Sequence, residues 1–177
     1  KAALRMLNYI RDLLEYSKIS SPVSNPRITD LNNIVKEVLL DLDASIQSTQ
    51  GEIHIGPLPK LEVDPTQMQQ LFQNLISNAI KYHKTGIAPK IRIESNKLDN
   101  KNWEISVSDN GIGFEDKYSK KIYKPFERLH GITVYQGTGM GLAICQKIVS
   151  NHGGEILTQS KLGKGSTFTV LLPQQKL

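Results

Sequence analysis

Two periods of hydrophobic residues run along this chain, and they predict helices in some segments and strands in others. Apolar positions three and four residues apart predict amphipathic helices at about residues 1–20, 30–47, 63–83 and 141–154. Alternating apolar and polar residues predict strands at about 52–56, 90–95, 102–109, 154–160 and 166–173. Helices grouped with a mostly antiparallel set of strands predict an α+β fold, a two-layer α/β sandwich.

The first predicted helix is set apart from the rest of the chain by the segment SSPVSNP at 20–26. Its two prolines end the helix and mark a linker. We therefore expect two parts, residues 1–21 and residues 22–177. The helix carries a heptad-like apolar seam through Ala3, Leu7 and Ile10, which predicts that it packs in a bundle or a dimer.

Composition narrows the class of protein. The chain of 177 residues is 38% hydrophobic and 22% charged, as in globular proteins, and no apolar run approaches the roughly 20 residues that a membrane span needs. The net charge of +5 comes from scattered lysines and arginines, so we expect no nucleic-acid partner. The single cysteine, Cys145, excludes an internal disulfide and fits a cytoplasmic domain. The four histidines show no metal-ligand spacing.

Glycine is concentrated in one part of the chain, because ten of the 13 glycines fall between Gly111 and Gly165. In QGTGMGLAICQKIV a glycine loop runs directly into a predicted helix, and the N–H groups at a helix N-terminus bind phosphate. The spacing matches neither the Rossmann fingerprint nor the P-loop. A flexible loop that only caps the helix remains the alternative.

A carboxylate is predicted at the mouth of an apolar surface. Trp103, Ile105 and Val107 alternate along a predicted strand, and Asp109 has the same parity. A buried carboxylate needs hydrogen-bond donors, and the glycines that follow leave room for a flat ligand with an exocyclic amine. An aspartate that merely caps the turn SDNG is the alternative.

The predicted helix at 63–83 places polar amides beside its core-facing side. Gln67, Asn74, Asn78 and Lys81 fall on one narrow stripe at about 100° per residue. Amide oxygens and a lysine suit a magnesium ion and phosphate oxygens. A solvated helix edge is the alternative, although such edges usually carry better helix formers.

Five motifs in order resemble those of the ATP-binding catalytic domain of sensor histidine kinases. They are NLISNAIKY (the N box), DNGIGF (first glycine box), YKPFERL (F box), GTGMGLAI (second glycine box) and GKGSTFTVLLP (the closing glycine motif). That domain belongs to the GHKL group, with type II topoisomerases, Hsp90 and MutL. The resemblance implies a Bergerat fold, a mixed and mostly antiparallel sheet covered by helices. Residues 1–21 resemble the second helix of a dimerisation and phosphotransfer hairpin.

The resemblance also implies roles for individual residues. Asn78 would ligate Mg²⁺, with Asn74 in support, and Lys81 and Arg128 would contact phosphate, so that Asn74, Lys81 and Arg128 form the implied catalytic set. Asp109 would accept from the adenine amino group. The other implied nucleotide-binding residues are Tyr82, Gly111, Gly113, Phe126, Gly137, Thr138, Gly139, Gly141, Leu142 and Thr167, the last expected beside Asp109. An ATP lid would lie between Arg128 and Gly137.

The implied activity is transfer of the γ-phosphoryl group of Mg-ATP to a histidine on the dimerisation domain. The resemblance also implies that a response regulator receiver domain is a further partner and that the full-length protein is a homodimer. No HE-x-x-x-P acceptor box occurs, so we expect the acceptor histidine upstream, in a protein whose other segments can include a membrane anchor. A GHKL ATPase is the alternative, but such enzymes carry a glutamate base where this chain has Asn74. A non-catalytic nucleotide-binding or dimerisation module is the third possibility.

Overall fold

The computed structural model describes residues 2–19, 23–99, 101–129 and 137–174. Its helices are α1 (Ala2–Lys18), α2 (Leu31–Asp41), α3 (Asp43–Ser48), α4 (Pro65–Lys81) and α5 (Gly141–Asn151). Its strands are β1 (Arg27–Asp30), β2 (Glu52–Ile55), β3 (Lys60–Val63), β4 (Lys90–Lys97), β5 (Asn102–Asp109), β6 (Glu155–Lys161) and β7 (Gly165–Pro173). Single turns of 3₁₀ helix cover Asp116–Tyr118 and Lys121–Tyr123.

Five strands form the main sheet in the order β2-β4-β5-β7-β6. β2 is parallel to β4, and the other neighbouring pairs are antiparallel. β1 and β3 form a separate antiparallel ribbon. The mixed, mostly antiparallel α+β sheet is therefore confirmed. The sequence pattern missed β1 and β3, because each directly follows a proline, Pro26 or Pro59, and prolines mark a segment as turn or loop.

The predicted helix at 30–47 is divided into α2 and α3 at Leu42, which ends one helix and precedes the next. The periodicity continues across this residue, so the sequence pattern does not reveal the break. Asp30 caps the start of α2 by accepting from the N–H of Asn32 at 2.9 Å. The predicted N-cap is thus present, although the predicted single helix is not.

One face of the sheet is covered by helices. α4 contacts β4 and β5, and α5 contacts β6 and β7. Ile105 and Val107 on β5 are almost completely buried, as are Met68 and Phe72 on α4. This burial excludes water from the contact between the layers and supplies most of the hydrophobic stabilisation. The same contact holds the ends of α4 and β5 next to each other.

A buried histidine joins the start of α4 to the end of α5. Asp64 caps α4 by accepting from the N–H groups of Thr66 and Gln67, and Pro65 occupies the first turn, where its missing N–H is not needed. The N–H of Asp64 donates to Nε2 of His152 at 3.1 Å. Nδ1 of His152 lies 2.8 Å from the carbonyl oxygen of Ile148 and donates to it. Burial lowers the pKa of His152.

Helix α1 lies against α5 and leaves much of its apolar surface exposed. The Nζ of Lys147 donates to the carbonyl oxygen of Tyr16 at 2.8 Å and lies 4.3 Å from the centre of its ring. Six apolar side chains of α1 are at least half exposed, namely Leu4, Met6, Leu7, Ile10, Leu13 and Leu14. In the part of the chain that the structure describes, no helix is both long and apolar enough to cross a membrane.

Candidate functional site

An elongated cleft lies at the ends of α4, β5 and α5. One part of it is a cavity of about 90 Å³, and the adjoining part is a cavity of about 260 Å³. Both parts are lined by Asn78, Tyr82, Ile122, Glu127, Arg128 and Leu142. Because they share these walls, we describe them as the first and second parts of one cleft.

The first part of the cleft is mainly apolar and contains the carboxylate of Asp109. Asp109 lies among Ile112, Phe114, Leu129, Leu142 and Phe168. Its Oδ1 accepts from the N–H of Gly111 at 2.8 Å and from the N–H of Ser166 at 3.3 Å. Burial nevertheless raises the pKa of Asp109, because the loss of solvation outweighs these two bonds. Both donors use the same oxygen, so Oδ2 faces neither of them and is suited to accept from a ligand amine.

Two glycines allow the loop after β5 to lie against the end of α4 and against the end of β6. A Cβ at Gly111 would be 2.5 Å from the carbonyl oxygen of Tyr82 and 2.7 Å from Oδ1 of Asp109. Gly113 has a φ of +58°, and a Cβ there would be 2.1 Å from the carbonyl oxygen of Lys161. Neither position has room for a side chain. The glycines therefore serve the close approach of backbone that forms this wall.

The prediction that Thr167 lies beside Asp109 is wrong. Thr167 pairs with Ser108 across β5 and β7, and its Oγ1 donates to Oγ of Ser108 at 3.0 Å. Both side chains are on the face of the sheet away from the helices, because successive residues of a strand point to opposite faces. Ser166, one residue earlier, is the buried residue next to Asp109.

The second part of the cleft is polar. Asn74, Asn78 and Lys81 of α4 all line it. Within the described residues, Nδ2 of Asn74 is buried and has no hydrogen-bond partner. Gln67, the fourth member of the predicted stripe, does not line the cleft, because it precedes Asn74 by roughly 10 Å along the helix axis.

The loop before α5 forms the opposite wall. Nη1 of Arg128 donates to the carbonyl oxygen of Gly137 at 2.7 Å, and the N–H of Phe126 donates to that of Gly139 at 3.1 Å. The Nζ of Lys81 is so close to this loop that a Cβ at Gly137 would lie 2.8 Å from it. α5 begins after Met140, whose side chain does not cap the helix, and its first turn contains no acidic residue. The N–H groups at the start of α5 therefore have no side-chain acceptor from the N-cap residue.

The structure brings together most of the predicted site residues. Those lining the cleft are Asn74, Asn78, Lys81, Tyr82, Asp109, Gly113, Arg128, Gly137, Thr138, Gly139, Gly141 and Leu142. Gly111 does not line the cleft, but its N–H donates to Asp109, which does. Phe126 does not line it; its ring is 48% exposed and lies 5.9 Å from the ring of Tyr9. Most of the predicted lid, residues 130–136, lies outside the described residues.

Sequence reasoning missed eleven lining residues. Three belong to α1, namely Asn8, Arg11 and Asp12, and the other eight are Ala79, Ile112, Phe114, Ile122, Glu127, Leu129, Ser166 and Phe168. Strand parity could have identified Ser166 and Phe168, because they are out of phase with Thr167. No pattern in α1 itself indicates that it lies over a cleft.

The donor set of the second part fits a hard divalent cation bound together with phosphate. It offers the amide oxygens of Asn74 and Asn78 and the ammonium of Lys81. Among the described residues, no three of the side chains of His, Cys, Asp and Glu are grouped to hold a metal by themselves. Phosphate oxygens would have to complete the coordination.

Comparison with known families identifies this class of site. Residues 63–176 match the family described as histidine kinase-, DNA gyrase B- and HSP90-like ATPases. The match covers more than half of the chain and includes the residues of both cleft walls except those of α1. The chain belongs to this family.

Within the family, the chain is similar to sensor proteins. It is 42% identical over 168 residues to cyanobacterial phytochrome A of Nostoc sp. and 39% identical over 168 residues to the phytochrome-like protein Cph1 of Synechocystis sp., covering 95% of this chain and 22% of each relative. It is 33% identical over 177 residues to the sensor protein kinase WalK of Staphylococcus aureus, covering 96% of this chain and 28% of that protein. The chain thus spans about a quarter of these relatives.

Solved structures show the same architecture. The catalytic domain of the histidine kinase ThkA aligns with a TM-score of 0.73 and 28% identity, covering 86% of this chain and all of that one. ThkA in complex with the response regulator protein TrrA aligns with a TM-score of 0.74 and 25% identity, covering 98% of this chain and 48% of that one. Full-length ShkA in complex with AMPPNP aligns with a TM-score of 0.82 at 21% identity, covering 97% and 36%. The chain is an ATPase domain of the sensor histidine kinase type.

Proposed function

We propose that this domain binds Mg-ATP and transfers the γ-phosphoryl group to a histidine of a dimerisation and phosphotransfer domain. The observation that supports this most strongly is the division of the cleft. A buried carboxylate lies in its apolar part, and amides, two cations and the start of a helix surround its polar part. This arrangement suits a nucleotide whose base and phosphates need opposite environments.

Adenine would occupy the first part of the cleft. The carboxylate of Asp109 would accept from the exocyclic amine, since its Oδ1 is already used by two backbone N–H groups. The apolar walls would cover the faces of the base, and burial of a flat ring against them is favourable. Tyr82, which lines both parts, would pack between the base and the ribose.

The triphosphate would occupy the second part. Asn78 would hold Mg²⁺ through its amide oxygen and Asn74 would support the ion or its water ligands, while the ion neutralises charge on the phosphates. Lys81 and Arg128 would neutralise the remaining charge, and the N–H groups at the start of α5 would bind phosphate oxygens. In phosphoryl transfer the protein acts chiefly by positioning and by charge stabilisation.

The reaction proposed breaks the bond between the γ-phosphorus and its bridging oxygen and forms a bond to an imidazole nitrogen, leaving ADP. The acceptor histidine would come from a segment outside this chain. Hydrolysis by water would need a base, and the amide of Asn74 cannot accept a proton as a carboxylate does. Glu127, the carboxylate shared by both parts, is paired with Lys121 at 3.5 Å.

The partners we propose follow from the relatives and from α1. A response regulator receiver would take the phosphoryl group from the histidine, as suggested by the complex of ThkA with TrrA. A homodimer of the full-length protein would cover the exposed apolar side chains of α1. The domain would work in the cytoplasm, where its single buried thiol, Cys145, stays reduced.

Asn78→Ala tests the proposed activity directly. We expect at least a hundredfold loss of Mg-ATP-dependent phosphorylation of a separately added dimerisation domain, because the variant lacks the proposed magnesium ligand; losses of roughly this size follow removal of a preorganised electrostatic contact. Transfer of ³²P from labelled ATP measures it. Ser77→Ala, one position earlier on α4 and outside the cleft, is the matched control. Undiminished phosphoryl transfer by Asn78→Ala would contradict the proposed role of Asn78 and the kinase activity assigned to this cleft.

A further inference from the structure

Helix α1 crosses the polar part of the cleft. Asn8, Arg11 and Asp12 line that part together with Asn74 and Asn78. The first helix is therefore more than a neighbouring element, because it closes one side of the region where we expect the triphosphate. Its side chains bear on the affinity of the site even though they belong to none of the nucleotide motifs.

Two contacts attach α1 to the loop before α5. Oγ1 of Thr138 donates to the carboxylate of Asp12, and the ring of Tyr9 lies 5.9 Å from the ring of Phe126 at an angle of 52°. Phe126 has a φ of 65°, a left-handed conformation that is unfavourable for a residue with a side chain. Thr138 precedes Gly139, whose carbonyl oxygen accepts from the N–H of Phe126 at 3.1 Å. α1 thus contacts two residues, Thr138 and Phe126, that lie next to Gly139.

The carboxylate of Asp12 is an anion in the part of the cleft where we propose that the triphosphate binds. It accepts from a hydroxyl of the glycine loop, in a region that also contains Lys81, Arg128 and the start of α5. Arg11 is 3.9 Å from it but is 65% exposed, so this pair offsets little of the negative charge. Asp12 and a triphosphate are like charges that would share one cationic region.

We infer that α1 is an autoinhibitory clasp in which Asp12 stands in for a phosphate group. Docking of α1 opposes the binding of Mg-ATP, and bound Mg-ATP displaces the carboxylate and loosens α1. The two effects are equal in free energy, because coupling between two binding equilibria is reciprocal. This inference rests on the proposed function, since it concerns the same cleft.

The charge of Asp12 can be removed without removing its oxygen acceptor. Asp12→Asn keeps an oxygen for the hydroxyl of Thr138 and abolishes the repulsion. We expect its affinity for Mg-AMPPNP, measured by isothermal titration calorimetry, to rise about three- to tenfold, as for one charge interaction of roughly 1 kcal/mol that is screened by water. The gain should be smaller for Mg-ADP and absent for adenosine, and it should shrink in high salt.

Glu15→Gln is the matched control. It removes the same charge from the same helix, keeps an acceptor for Nε2 of Gln70, which is 3.2 Å away, and lies outside the cleft. Its affinity for Mg-AMPPNP should equal that of the unsubstituted chain. A second measurement follows the helix itself: amide hydrogens of α1 should exchange several times faster when Mg-AMPPNP is bound.

The outcomes separate this inference from the proposed function. Equal affinities for Asp12→Asn and the unsubstituted chain would overturn the clasp alone. Weaker binding by Asp12→Asn would also overturn it, because the carboxylate would then be assisting the ligand or its cation. Unchanged exchange in α1 on binding would count against displacement. If none of the proteins binds nucleotide, the proposed function fails and the clasp fails with it.

Discussion

Asn74 and Asn78 are unfavourable residues for the middle of a helix, each costing about 0.6 kcal/mol relative to alanine. Both line the polar part of the cleft, and the buried nitrogen of Asn74 has no partner among the described residues. Asp109 is a similar case, because burial raises the pKa of its carboxyl group. At these positions local stability is lower than it could be, which is typical of residues kept for a ligand.

Asp109→Asn should separate stability from nucleotide binding. The amide oxygen can still accept from Gly111 and Ser166, and no charge is buried, so the free energy of unfolding without ligand should stay the same or increase. Affinity for Mg-ATP should fall roughly 10- to 100-fold, since a charge-assisted hydrogen bond is lost. Calorimetric titration and urea unfolding measure the two quantities. Ser108→Ala, on the opposite face of β5, should change neither affinity nor fold.

At the scale of elements, the cleft depends on how α4 and α5 are held together. His152 joins the N-cap of α4 to the last turn of α5, and both of its ring nitrogens are hydrogen-bonded in a way that requires the neutral ring. Protonation would turn Nε2 from an acceptor into a donor facing the N–H of Asp64. The position of both walls is therefore sensitive to this one proton.

The folded protein should lose stability as pH falls below about 6.5, the ordinary pKa of histidine. Burial lowers the pKa of His152 in the folded state, so the unfolded chain binds the proton at higher pH and stability increases with pH across this window. Thermal unfolding between pH 5 and pH 8 measures the slope. His152→Gln should flatten it, while the exposed His54→Gln should retain it; an unchanged slope in His152→Gln would contradict the assignment.

For the whole molecule, the cleft lies between layers that share one core, so a bound nucleotide should stabilise the domain as a unit. A ligand at 100 times its dissociation constant adds about 2.7 kcal/mol, which raises the melting temperature of a domain of this size by roughly 5–11 °C. Differential scanning calorimetry with Mg-AMPPNP checks this. Asp109→Asn, with its weaker affinity, should show about half of the increase or less at the same concentration, and an undiminished increase in that variant would place the ligand elsewhere.

The sequence by itself determined most of the elements and about half of the residues that line the cleft. Helical and strand periods identified α4, α5 and the five strands of the sheet, because in each of them the apolar positions recur at the period of the element. Strand parity placed Asp109 on the helix-covered face, and the motif order assigned the cleft walls. The assignment of Thr167 went wrong by one residue, and applying the same parity argument to β7 would have selected Ser166.

The tertiary structure alone decided which elements meet. Gln67 and Asn78 share one stripe of α4, yet only the part of the stripe next to the loop before α5 lines the cleft. The position of α1 across the polar part, with Asp12 bonded to Thr138, has no signal in either segment. The physical reason is that periodicity reports which face of an element is buried, whereas the partner that buries it is chosen by long-range packing.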